Sequence, residues 1–211
     1  KIGNGQDPKN NLYWGCKYGI STFFKNSTEW EFIEKQTVDS IIFERLILKH
    51  KTQNYYLIAE AYNGKKIKEC TIDYFNSCAG LVKDTLTISK LNIKIPFQGC
   101  SKLVSYIGHD GLMDFDLEQN FFNIDKLKRK TIILACSAKA HMGTKLKQTN
   151  AYPILWTSSL LSPEAYTLHD CLNAYLNQKS NQTILNTAIS TYMKYQKCNK
   201  AVASYIFESG W

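Results

Sequence analysis

The chain has 211 residues, 44% of them hydrophobic and 21% charged, with a formal net charge of +8. That length suits one domain with a substantial core, and the composition is that of a folded globular protein, excluding disordered and collagenous chains. No apolar run approaches the ~20 residues that a membrane-crossing helix needs.

The basic balance invites a nucleic-acid reading, but the residue types argue against it. The only arginines are Arg45 and Arg129, and arginine is the usual bidentate reader of phosphates and base edges. Apart from Lys126-Leu-Lys-Arg-Lys130 and Lys49-His-Lys51, the lysines are dispersed, as on a solvated surface. Seven cysteines, Cys16, Cys70, Cys78, Cys100, Cys136, Cys171 and Cys198, include no C-x-x-C pair. Up to three disulfides are possible, and one thiol must remain free or pair between chains. The first residue is Lys1 rather than Met; a removed leader would place the mature protein outside the cytoplasm.

Residues 1–11 are polar and rich in Asn and Gly and are expected to form an extended N-terminal arm or loop on a single domain spanning 1–211. Leu12 to Ile20 clusters aromatics around two glycines, as a structured loop or helix start would. Ser40 to His50, the turn Lys51-Thr-Gln-Asn54 and Tyr55 to Ala61 read as a β-hairpin. After Asn63-Gly64, the apolar residues from Ile67 to Cys78 follow helical spacing, and Ala79-Gly80 stops that helix. Three short β-rich runs then end in small or polar residues: Leu103–Ile107, Thr131–Leu134 and Tyr152–Trp156. Such near-continuous apolar runs suit a parallel sheet covered on both faces. Two helices are expected in the tail. One runs from Ser162-Pro-Glu-Ala165 to about Gln178, with Ser162 as cap and Pro163 in the first turn; the other runs from Thr183 to about Lys197. The expected fold is α/β, a mostly parallel sheet with helices on both faces.

Ligands of open parallel sheets bind at the carboxyl ends of the strands, and two of the runs place His109 and Cys136 there. If these strands are neighbours, roughly 4.8 Å apart, imidazole and thiol come within reach of one another. A nearby imidazolium favours the nucleophilic thiolate, so the pair supplies a base and a nucleophile for acyl transfer.

An apolar strand ending in His, followed by another ending in Ala-Cys, resembles the caspase-like cysteine peptidases. The matching residues are Leu103-Val-Ser-Tyr-Ile-Gly-His109 and Thr131-Ile-Ile-Leu-Ala-Cys136. The resemblance implies a caspase-like fold, a peptide or protein substrate, His109 as general base and Cys136 as nucleophile, with backbone amides near Gly111 and Cys136 as oxyanion donors. Three features depart from the family. Arg45 is the only arginine upstream of the pair, so an arginine cluster for an aspartate substrate is hard to build. Asp110 stands where glycine follows the histidine, and the His–Cys spacing is only 27 residues. As a whole the chain is also similar to an uncharacterised group of bacterial exported proteins, through Gly108 to Asp114 and Pro163 to Leu168; that likeness implies a periplasmic or secreted location.

Other residues qualify the site. Asp110 and Asp114 can orient His109 or meet a basic substrate group, or simply bond loop amides. Glu60, Ser137, Ser158, Ser159 and Glu164 follow or close neighbouring strands, where they can line the cleft or merely end the elements. A metal reading would gather His109, Asp110, Asp114, Cys136 and His141, but no two have zinc-motif spacing, and no cofactor is expected. Cys136 alone would more often be a small buried hydrophobe. The alternative function is therefore a non-catalytic binding domain on the same fold.

Overall fold

The computed structural model describes residues 3–211. Residues 3–19 fold into successive turns, including a 3-10 turn at Pro8–Asn10 capped by Asp7, and Gly5 accepts a hydrogen bond from the Gly64 amide at 2.7 Å. Lys1 and Ile2, the start of the expected arm, lie outside the described residues. α1 (Ile20–Lys25) leads into β1 (Trp30–Thr37), β2 (Ile42–His50) and β3 (Tyr56–Tyr62). These three form an antiparallel sheet in that order. The expected hairpin is β2–β3. β1 escapes pattern reading because a register shift between Phe32 and Glu34 breaks its alternation; Trp30 and Ile33 are buried at odd spacing.

α2 (Ile67–Ala79) follows and ends at Gly80, whose φ of 72° suits glycine at a helix C-terminus. A second hairpin, β4 (Lys83–Ile88) with β5 (Ile93–Gln98), packs Leu86, Ile88 and Phe97 against Ile33 and Ile47 of the first sheet. Its outer residues are mostly exposed, which leaves little apolar periodicity to read.

The remaining sheet has the order β6 (Leu103–Ile107), β7 (Lys130–Leu134), β8 (Tyr152–Thr157) and β9 (Phe207–Glu208). The first three strands are parallel and β9 is antiparallel. α3 (Ala138–Thr149) crosses from β7 to β8; α4 (Ala165–Leu176), α5 (Asn181–Gln196) and α6 (Lys200–Ile206) lie between β8 and β9. Side chains alternate across β7. Ile133 and Ala135 pack with α2 and α3, while Ile132 and Leu134 pack with α4 and α5. Burial on both faces explains the unbroken apolar run.

The fold is thus mixed α/β with helices on both faces of its parallel strands; the sheet that holds those strands is mixed, and the other two sheets are antiparallel. Parallel pairing is confined to strands joined by long crossovers. Strands joined by short turns, at 51–55 and 89–92, can pair only antiparallel. α4 also starts later than expected, at Ala165 with Glu164 as the residue before it. Ser162 does not cap it: its amide donates to the Tyr192 hydroxyl at 3.0 Å, and the Ala165 amide donates to Tyr18 O at 2.7 Å. All seven cysteines are free thiols. Burial pushes the Cys78 thiol up to about 12, as expected of a packing residue rather than a nucleophile.

Candidate functional site

β6 and β7 pair in parallel with Ile107 opposite Leu134. The Gly108 amide extends the ladder to Leu134 O at 3.1 Å. His109 and Cys136 therefore leave adjacent strands at equivalent steps, two residues beyond that last pair. Gly108 has φ 144°, a conformation open to glycine and strained for other residues, and it turns the chain so that His109 is exposed while Asp110 is buried.

His109 Nε2 lies 2.6 Å from Asp114 Oδ2. With the carboxylate accepting, Nε2 carries the proton and Nδ1 keeps its lone pair. Cys136 is half-buried, and its thiol points toward Leu161 O at 3.8 Å. Ser137 follows in the left-handed region, φ 50°, making a sharp turn from β7 into α3. The positive end of α3 therefore begins beside the thiol. Among the described residues no hydrogen bond joins His109 to Cys136.

Asp110, fully buried, accepts from the Leu112 amide through Oδ1 at 3.0 Å and meets His141 Nδ1 through Oδ2 at 3.0 Å. It thus ties the His109 loop to the first turns of α3, the helix after Cys136. Gly111 is buried, its amide against the Tyr106 hydroxyl, and a side chain there would collide with Phe115 at 2.8 Å. The Ser137 amide donates to Ser159 O at 3.0 Å. Both amides are engaged elsewhere, whereas the Cys136 amide makes none of the described backbone hydrogen bonds.

The other candidates fall elsewhere. Ser158 donates its hydroxyl to Tyr205 O at 2.9 Å and its amide to Ile206 O at 2.8 Å, fastening β8 to the end of α6. Glu164 accepts from the Tyr166 hydroxyl at 3.0 Å. Glu60, in β3, pairs with Arg45 at 2.6 Å; burial raises its pKa against the pull of Arg45. It shares a cavity of about 1210 Å³ with His109. Among the described residues no three His, Cys, Asp or Glu side chains converge as a metal site, so the five residues of the metal reading do not form one.

Tyr13 is the neighbour that sequence reading missed. Its ring lies 3.7 Å from where a Gly108 side chain would start. Burial raises the pKa of its phenol, and the nearby Cys136 raises it further. Trp14 holds the segment in place through Nε1 to Glu44 at 2.8 Å. No local pattern marks Tyr13, because the contact joins residues 95 positions apart. No helix among the described residues is long and apolar enough to cross a membrane. No family model matches the chain, no curated protein matches it, and no solved structure matches it.

Proposed function

We propose that the protein is a cysteine-dependent hydrolase acting on peptides, with Cys136 as nucleophile and His109 as general base. The observation that carries this reading is the β6–β7 register, which delivers the imidazole and the thiol from neighbouring strand ends. His109 Nδ1 takes the thiol proton as sulfur attacks the scissile carbonyl carbon. The C–N bond then breaks, and the imidazolium returns the proton to the leaving amine. Water hydrolyses the resulting thioester in the same manner, regenerating the thiol. The amide of Cys136 and the start of α3 favour the oxyanion and the thiolate. Asp114 holds the ring in the required tautomer.

The test combines reactivity with turnover. Iodoacetamide labelling of Cys136, followed by peptide mass spectrometry, is expected to slow severalfold in His109→Ala. Hydrolysis of a fluorogenic peptide library is expected to vanish in Cys136→Ser. Equal labelling of both proteins, with no peptide cleaved by the native chain, would sink the proposal.

A binding domain that uses the same fold without catalysis is the second reading. It is favoured by the engagement of thiol and imidazole elsewhere, with Leu161 O and Asp114. Selective covalent capture of Cys136 by a peptidyl electrophile, lost in His109→Ala, decides for the enzyme.

A further inference from the structure

The cavity that reaches His109 is a slot between two strand edges. β3 is an outer strand of the antiparallel sheet and β6 an outer strand of the parallel one, and they do not pair with each other. They run in the same direction. At one end Lys102 lies over the Tyr55 ring at 6.0 Å; at the other, Gly111 abuts Ile67.

Backbone parity shows which groups face the slot. Asn63 N–H and Tyr55 C=O bond toward β2, so the amides and carbonyls of Tyr56, Ile58, Glu60 and Tyr62 point away from it, into the slot. Gly108 N–H bonds toward β7, so those of Leu103, Ser105 and Ile107 also point into the slot. Among the described residues these edges are bare, and they line a space of about 1210 Å³, larger than the roughly 300–1,000 Å³ of common small-molecule pockets.

The walls alternate as a sheet requires. On one side stand Ile58, Phe97 and α2; on the other stand Leu57, Ala59, Leu103 and Leu172. Two buried side-chain atoms without a hydrogen-bond partner, Ser105 Oγ and Gln98 Oε1, belong to residues lining the slot. Asp73 lines it too, its carboxylate bonded to the Tyr62 hydroxyl at 2.9 Å and in no ion pair among the described residues.

An apolar small molecule would cover the walls and leave both strand edges unbonded, at a cost for every buried amide. An extended peptide satisfies both demands at once: its backbone bonds to the edges and its alternate side chains reach the two walls. We infer that the slot binds an extended peptide segment as an added strand between β3 and β6, apolar on its α4 face and carrying a lysine or arginine toward Asp73 on its α2 face. This binding does not depend on the dyad chemistry.

The test uses the full chain as Cys136→Ala, so that hydrolysis cannot consume the probe. The probe is a fluorescein-labelled amide of Val-Thr-Val-Lys-Val-Thr-Val, followed by polarisation. Controls are the same peptide N-methylated at its three even positions and a version with norleucine for lysine. The parent probe is expected to bind, and the methylated one to lose at least about tenfold in affinity as edge hydrogen bonds are removed. Asp73→Asn is expected to weaken the lysine probe about tenfold and leave the norleucine probe unchanged. Hydrogen exchange is expected to slow at the Ser105 and Ile107 amides. Equal affinity for parent and methylated probes, unchanged exchange, or no binding of any probe would overturn the inference. None of these results bears on whether Cys136 is catalytic.

Discussion

Asp110 Oδ2 stands 3.0 Å from His141 Nδ1, and the aspartate is wholly buried. The residue that interrupts the expected His-Gly step is therefore the tie between the His109 loop and α3. Its second oxygen caps the 3-10 turn Gly111–Met113. Asp110→Ala leaves the Leu112 amide and the His141 ring without that partner, and is expected to destabilise the fold by about 1–3 kcal/mol. A double-mutant cycle with His141→Ala, read by urea unfolding, is expected to show a coupling of about 1 kcal/mol; strict additivity would refute the tie.

Asp114 is exposed, and its hydrogen bond to His109 is correspondingly modest. An exposed pair contributes up to about 1 kcal/mol. On the proposed mechanism, Asp114→Asn is expected to lower kcat about fivefold with KM unchanged, the rate equivalent of that energy. A fall in KM affinity with kcat intact would place Asp114 in substrate binding instead.

Two glycines make opposite predictions. Gly108 has φ 144°, and a side chain there would meet Tyr13 only at an ordinary 3.7 Å. The cost of Gly108→Ala is thus conformational, about 1–3 kcal/mol. Gly143 sits inside α3, where an added methyl would touch the Trp156 ring at 3.8 Å. Gly143→Ala is expected to stabilise by about 0.5–1 kcal/mol through helix propensity. Thermal unfolding of the two variants gives both signs in one experiment.

Acid sensitivity centres on Asp125. The Arg129 guanidinium holds its carboxyl below the usual range, with Lys83 adding to the effect. Arg129 is nearly fully buried and also donates Nε to Gly99 O at 2.7 Å. The native state thus keeps Asp125 ionised where the unfolded chain protonates it. Its contribution is complete above the ordinary carboxylate value of 3.8 and is lost as pH falls through the lower native value. Asp125→Asn is expected to cost about 3 kcal/mol near neutrality, since it strands a buried guanidinium. It should also flatten the decline of stability between about pH 5 and pH 2. Unfolding curves of both proteins across that range check the sign; an equally steep decline in the variant would remove Asp125 as the cause.

The sequence by itself determined the elements that carry their own periodicity or stop signals. β2 and β3 are legible as apolar runs around a polar turn. α2 is legible from its spacing and from Gly80, and β6, β7 and β8 from near-continuous apolar runs. The placement of His109 and Cys136 after two such strands follows from that reading. Only the tertiary structure decided what depends on partners far along the chain. β1 is held by pairing with β2 across a bulge, β9 is two residues fastened to β8, and the β4–β5 hairpin is stabilised by Leu86, Ile88 and Phe97 on the first sheet. Asp110 became a tether because α3 brings His141 to it, and Tyr13 reached Gly108 from a segment 95 positions earlier. The slot between β3 and β6 has no sequence signature, because an unpaired strand edge differs from a paired one only in what lies beside it.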